Sequence, residues 1–283
     1  MTVRTSARVT AIAGLVVAVA CTAAGIAIDI ALAEAGVSGP VAPGWTALSF
    51  LAMAVAGGVL LTCVSWHAVA VGLLGFGVLG TFAAFCSAWV GLAVTLWPGA
   101  PFGEAALFVN QRVYDGALIA VPLLLALFPD GRLPRRPLLR ATAIVSIGLA
   151  VLSTLDNLLK PWEVIARLDG APDGRIRQWF REGWGLALDP PTWVAIDRVL
   201  DAAWYAAPVL GVVVLLARRI GADEQLRRQL RWIGWAGTLL VLAVVVLPLA
   251  NDWVLWQLAV CGAITLVCLS MVIAITRYRL HSI

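Results

Sequence analysis

The sequence predicts an all-α fold, a polytopic transmembrane helical bundle of about eight spans with an outer Trp-rich loop helix between spans five and six. Three observations lead there. Hydrophobic residues make up 61% of the 283, and the mean hydropathy is +0.94, well above that of an ordinary soluble domain. The apolar residues come in runs longer than a buried soluble helix needs, so the bilayer supplies the exterior solvent. Charged residues amount to only 13% and cluster between the runs, with the arginines falling almost entirely on alternate sides. Disorder, a secreted disulfide scaffold and a soluble enzyme core are thereby set aside, leaving one membrane domain over 1–283.

Taken in order, the first apolar run covers 10–33. Arg4 and Arg8 ahead of it imitate a secretory signal, but the run is longer than a signal core and contains Asp29, so a retained span is expected. The runs at 45–65 and 69–96 are divided only by Ser65, Trp66 and His67. Near the start of the third span Ala68, Gly72 and Gly75 share one face, with Gly77 and Gly80 on an adjoining one, a pattern suited to close helix packing. The fourth run, 106–128, carries Arg112 and Asp115 three residues apart, close enough on a helix to approach each other. The fifth is 139–158.

The segment 159–193 is the one substantial extramembrane stretch, and charge bias puts it outside. Trp162, Trp179, Trp184 and Trp193 sit among charges and glycines, a composition for lying at lipid headgroups or folding back over the bundle. Around 174–183, Ile176, Trp179 and Phe180 share a helical face, while Arg175, Arg177 and Arg181 are placed for water or phosphate. A surface-anchored loop helix and a ligand-sensing cap both fit. Runs at 194–217, 233–250 and 254–276 complete the spans.

With both termini inside, thirteen of the twenty basic residues fall on the cytoplasmic side. They belong to the amino terminus, to two connector segments at 129–138 and 218–232, to Arg140 just after the first connector, and to the exit at Arg277 and Arg279. The excess, reflected in a pI near 9.0, sets orientation and meets anionic lipid rather than nucleic acid. In the first connector Pro129 and Pro134 bound a turn that Gly131 tightens, and Asp130 can cap the next turn or pair with Arg132. In the second, Glu224 and Arg228 are four apart, as are Arg227 and Arg231, which predicts a short charged helix extending the seventh span.

Three segments carry a family likeness: FPDGRLP from Phe128 to Pro134, ADEQLRRQLRW from Ala222 to Trp232, and RYRL from Arg277 to Leu280. In order and spacing they resemble the amino-terminal multi-pass membrane region of actinobacterial sensor histidine kinases, over most of the chain. The resemblance implies a bacterial cytoplasmic-membrane location and a sensory role. Pro129, Gly131, Arg132 and Pro134 would form the recurrent inner turn, Gln229 to Trp232 the segment before the last pair of spans, and Tyr278 to Leu280 the start of the output connector. Arg132, Arg231, Arg277 and Arg279 would then be coupling residues. Family members carry a basic, proline-bearing loop where 63–69 is nearly neutral here. The phosphoacceptor helix and ATP-binding domain of a kinase are absent, so no kinase activity of its own is expected. His281, five residues beyond Thr276, is not expected to serve as phosphoacceptor.

Asp29, Asp115 and Asp201 are the ionisable groups expected to reach hydrocarbon depth, all towards the outer ends of their spans. Together with Asn110, Arg112, Arg198, Asn251 and Asp252 they can line an outward-facing polar pocket. A satisfied interhelical network, a ligand- or ion-sensing site and a transport pathway all use such a set. Cys21, Cys63, Cys86, Cys261 and Cys268 fall within spans at no metal spacing, and His67 lies far from His281, so neither metal nor cofactor is expected. The leading reading is a membrane sensory or signal-coupling domain whose partners are membrane lipids, a hydrophobic or small-molecule signal, and a second copy or a cytoplasmic signalling protein. A small-molecule or ion transporter and a structural membrane-complex subunit are the alternatives; no internal duplication supports transport.

Overall fold

The computed structural model describes residues 3–37, 46–64, 66–113, 116, 119–161, 185–186, 188–220, 222–245 and 253–279. Within them the chain forms α1 (Val3–Glu34), α2 (Ala47–Val64), α3 (Ala68–Thr95), α4 (Gly103–Val113), α5 (Ala120–Leu127), α6 (Pro137–Leu159), α7 (Pro190–Ala217), α8 (Glu224–Val245) and α9 (Trp253–Arg279). Six of these, α1, α2, α3, α6, α7 and α9, are long and apolar enough to cross a bilayer. The chain is therefore an all-α, multi-pass membrane bundle. Its flanks carry exposed aliphatic side chains such as Val16, Leu152, Val213 and Leu269, which lipid solvates at no cost.

Within the apolar run at 106–128 the described residues form two helices, with 114, 115, 117 and 118 outside the described residues. Helix α4 has 11 residues and α5 has 8, and each is too short to span about 30 Å alone. Pro122 sits in the first turn of α5, where its missing N–H costs no helical bond. Helix α8 begins at Glu224, nine residues before 233, and so includes the expected charged helical extension of the seventh span.

The weak division between the second and third spans falls at Trp66 and His67, the latter extended at φ −126° and ψ 133°. Tight return there lets α2 and α3 pack intimately. A Cβ on Gly57 would lie 2.3 Å from the Leu74 backbone nitrogen, and one on Gly77 would lie 2.4 Å from that of Ala54. Only glycine permits this backbone approach, and in lipid such van der Waals contact replaces the missing hydrophobic drive. The seam thus runs through Gly77 and Gly80, which meets the Phe50 ring. On the other expected face, Gly72 touches only Leu124 and Gly75 has open space.

Helices α2, α3, α5, α7, α8 and α9 touch in that order and close back onto α2, with α1, α4 and α6 packed outside. Hydroxyls zip α6 to α7: Ser146 donates to the Ala207 carbonyl at 2.6 Å and Ser153 to that of Leu200 at 3.0 Å. Their seven-residue spacing puts both on one helical face, and each adds roughly 0.6 kcal/mol.

The arginine-bearing helix ends gather at one end of the bundle. There the Trp66 indole donates to Ser6 Oγ at 3.2 Å, Gly131 lies against His67 and Ala68, and Gln229 donates to the Ala274 carbonyl at 3.3 Å. The outer Trp-bearing stretch 162–184 lies outside the described residues. Its C-terminal flank does not: Leu186 N–H donates to the Leu159 carbonyl, and buried Trp193 donates to the Leu186 carbonyl. Gly185, at φ +110°, has no room for a Cβ beside Leu159.

Candidate functional site

Three polar or hollow features stand out, one at each end of the bundle and one within it. At the end opposite the arginines, Lys160 at the C-cap of α6 bonds Asp156 at 3.0 Å and Asp197 of α7. Its contact with the Asn157 side chain is 3.4 Å. The side chains of Lys160, Asp156 and Asp197 are 8%, 5% and 14% exposed. Burial alone lowers the Lys160 pKa, but the bonds to Asp197 and Asp156 outweigh it and leave the group above its ordinary value. Beside this triad Arg112, 1% exposed, donates to the Asn157 carbonyl. Two cations and two anions thus offset one another across α4, α6 and α7, which fits a polar clasp between helices.

Of the expected pocket residues, Asp29 is half-buried on α1, Asn110 half-buried on α4, and Arg198 and Asp201 exposed on α7. Asp115, Asn251 and Asp252 lie outside the described residues. Lys160 and Asp156 were legible as a helical i, i+4 pair. Asp197 joins them only through the α6–α7 packing, which no local spacing reveals.

The second feature is a cavity of about 230 Å³ between α2, α5, α6, α7, α8 and α9. Its wall is mainly apolar, with Phe50, Pro122, Trp204 and Ile264 among its surfaces. Ser49 and Gln257 bring polar groups to it. The Ser49 hydroxyl is committed to the Thr46 carbonyl at 2.8 Å. Gln257 is 8% exposed, and its Oε1 accepts no hydrogen bond among the described residues. An amide oxygen left so costs about 1–3 kcal/mol, a cost that a donor-bearing occupant would relieve. Gln257 is the one amide in the apolar run 253–275, the signal by which it stood to be found.

The third feature is an open cavity of about 870 Å³ at the arginine-rich end. The two connectors meet there: the 129–136 turn forms one wall, and Arg218, Leu226 and Gln229 form another, with Ile275 of α9 between. Gly131 adopts φ +70° and closes the end of α5 through its N–H to the Leu127 carbonyl at 2.8 Å. Asp130 pairs with Arg218 at 3.6 Å, a partner from the other connector in place of the local Arg132. Burial pulls the Arg218 pKa below its usual value and Asp130 offsets part of this. Of the expected coupling residues, Arg132 is on this wall, while Arg231 and Arg277 are exposed elsewhere. Arg279 closes α9.

Buried core separates the two cavities. Leu125, Val212, Leu215, Val267 and Met271 are buried between them, and α2, α5, α7, α8 and α9 each contribute to both walls or to the turn just beyond. No family model matches the chain, and no curated protein or solved structure matches it.

Proposed function

We propose that the chain is a membrane-embedded sensory or signal-coupling domain, similar in organisation to the input region of a bacterial sensor histidine kinase and without catalytic chemistry of its own. In this reading it makes eight passes, α4 and α5 together forming the fourth, and both ends lie on the cytoplasmic side. One observation carries it: the helices that wall the apolar cavity are the same ones whose far ends surround the arginine-rich vestibule. A small apolar molecule bearing one donor group, satisfied by Gln257, would favour one arrangement of these helices over another. That difference in affinity is what biases the equilibrium. Helix α9 conveys it to Arg277 and beyond, towards a second copy or a cytoplasmic partner.

The purified chain in nanodiscs, titrated with 1-naphthol and followed by amide hydrogen exchange, tests this. Coupling requires altered exchange at Ala217–Ile220 and Thr276–Arg277, far from the cavity, and its loss in A150L, which fills the wall. Q257L should abolish any preference for 1-naphthol over naphthalene. Exchange changes confined to the cavity wall would defeat the reading.

Two cavities set one beyond the other along shared helices are also what a small-molecule transporter presents. Solute counterflow in proteoliposomes that A150L abolishes would favour that second reading.

A further inference from the structure

The arginine-rich vestibule has a composition that its role as a junction of connectors does not require. Four guanidinium groups, from Arg132, Arg135, Arg136 and Arg218, face a single lining carboxylate, Asp130. Arg218 is committed: its Nη1 donates to the carbonyls of Ala126 and Phe128 and its Nη2 pairs with Asp130. Arg132, Arg135 and Arg136 are exposed and have no partner among the described residues. They stand on one short turn, Arg132 between the positive-φ Gly131 and the buried Pro134, Arg135 and Arg136 directly after Pro134. Their guanidinium groups are thus gathered without an anion to offset them.

The turn also delivers the start of α6 to the same place. Arg136 is the N-cap of a 23-residue helix and makes no side-chain cap bond; with Pro137 lacking an N–H, the N–H groups of Leu138 and Leu139 are the ones the helix itself leaves to be satisfied. Leu139, in the first turn, is part of the cavity wall. Arginine forks and helix N–H groups both match tetrahedral oxyanions. Apart from His67 and Gln229, the rest of the wall is apolar, including Val64, Leu133, Leu226 and Ile275. A free inorganic ion would leave that half unused.

We propose that this vestibule is a binding site for a phosphate ester, its phosphate held by Arg132, Arg135 and Arg136 and its carbon-bearing portion against the apolar wall. The same chemistry is offered by a lipid headgroup and by a soluble ester. The apolar wall and the position at a bundle end favour the lipid. The site is independent of the sensory reading and would exist equally in a transporter.

Native mass spectrometry of the delipidated full-length chain tests it, with dioleoyl phosphatidic acid as probe, dioleoyl phosphatidylcholine as the comparison lipid, and glycerol 3-phosphate as the soluble competitor. Two triple variants carry the discrimination. R132Q/R135Q/R136Q removes three charges from the cavity; R4Q/R8Q/R277Q removes three exposed charges elsewhere on the same end. The first should weaken phosphatidic acid binding by about tenfold or more, and the second by no more than about twofold. All six side chains are exposed, so both variants should fold, which matched unfolding midpoints will show. Equal losses in the two variants, or no loss in either, would overturn the proposal. Competition by glycerol 3-phosphate at micromolar concentration would assign the site to a soluble ester, while binding of phosphatidic acid that the ester does not displace would assign it to lipid.

Discussion

Arg218, just past the end of α7, donates to the carbonyl of Ala126 at 3.0 Å, ninety-two residues earlier in the chain. By reaching Phe128 as well it satisfies the carbonyls that the end of α5 leaves without helical partners. A cation at a helix C-terminus also meets the negative end of the helix dipole.

Replacing this group by R218A should lower stability by about 2 kcal/mol, the scale of buried charge-assisted hydrogen bonds. Lysine should restore only part, because a single ammonium cannot span both carbonyls and Asp130 as a fork does. D130N should cost far less, since that carboxylate is 64% exposed. Unfolding midpoints in detergent, compared among the three variants, check the order.

The Lys160 cluster predicts a different pattern. K160M leaves Asp156 and Asp197 facing each other without their cation and should cost about 3 kcal/mol. Removing all three charges, in D156N/D197N/K160M, should lie closer to the native chain than the single variant does. If the triple variant is the less stable of the two, the cluster owes its contribution to attraction rather than to mutual relief of burial.

Glycines in α3 divide by position. G77A must push the Ala54 backbone away and should cost about 2 kcal/mol. G75A meets nothing within 4 Å and should be neutral or stabilising by up to about 1 kcal/mol. Thermal unfolding of the two variants side by side suffices.

At the start of α7, Asp189 accepts from the Thr192 hydroxyl at 2.6 Å and from its N–H at 3.1 Å. Those bonds hold its carboxyl below the ordinary value of 3.8. A depressed folded pKa contributes stability that is present above the unfolded value and lost as pH falls through the folded one. D189A should therefore speed amide exchange at Thr192 near neutral pH. The difference should shrink as pH drops below 3.8.

Helices α2, α3, α6, α7 and α9 were legible in the sequence to within a few residues, because apolar runs bounded by Arg, Pro or Gly leave little choice of where helix meets interface. The separate start of α5 within the fourth run was not, because hydropathy counts how apolar a stretch is and not which backbone hydrogen bonds it makes. Close packing of α2 on α3 was half legible: Gly77 and Gly80 stood out, yet their partners Ala54 and Phe50 on α2 are ordinary in sequence. Arg218 read as one topological charge among many. Its tie to Ala126 exists only once α5 and α7 lie side by side, and the same holds for Asp197 with Lys160. Gln257 was visible as a lone amide, but its lack of a donor is a property of the assembled wall.

The six helices that close on themselves form a hoop, and a hoop resists widening differently from a stack. Room for an occupant beside Gln257 cannot come from displacing one helix, because each is held by a neighbour on either side. The circumference itself must lengthen, and the demand is shared among all the contacts. The contact least able to yield is the backbone-close seam of Gly57 and Gly77, so expansion falls on joins where the described glycines meet only side-chain tips. Gly234 and Gly237 meet Leu216 and Val212 in this way at the α7–α8 join, and Gly72 meets Leu124 so at the α3–α5 join, which makes these two the expansion gaps of the hoop.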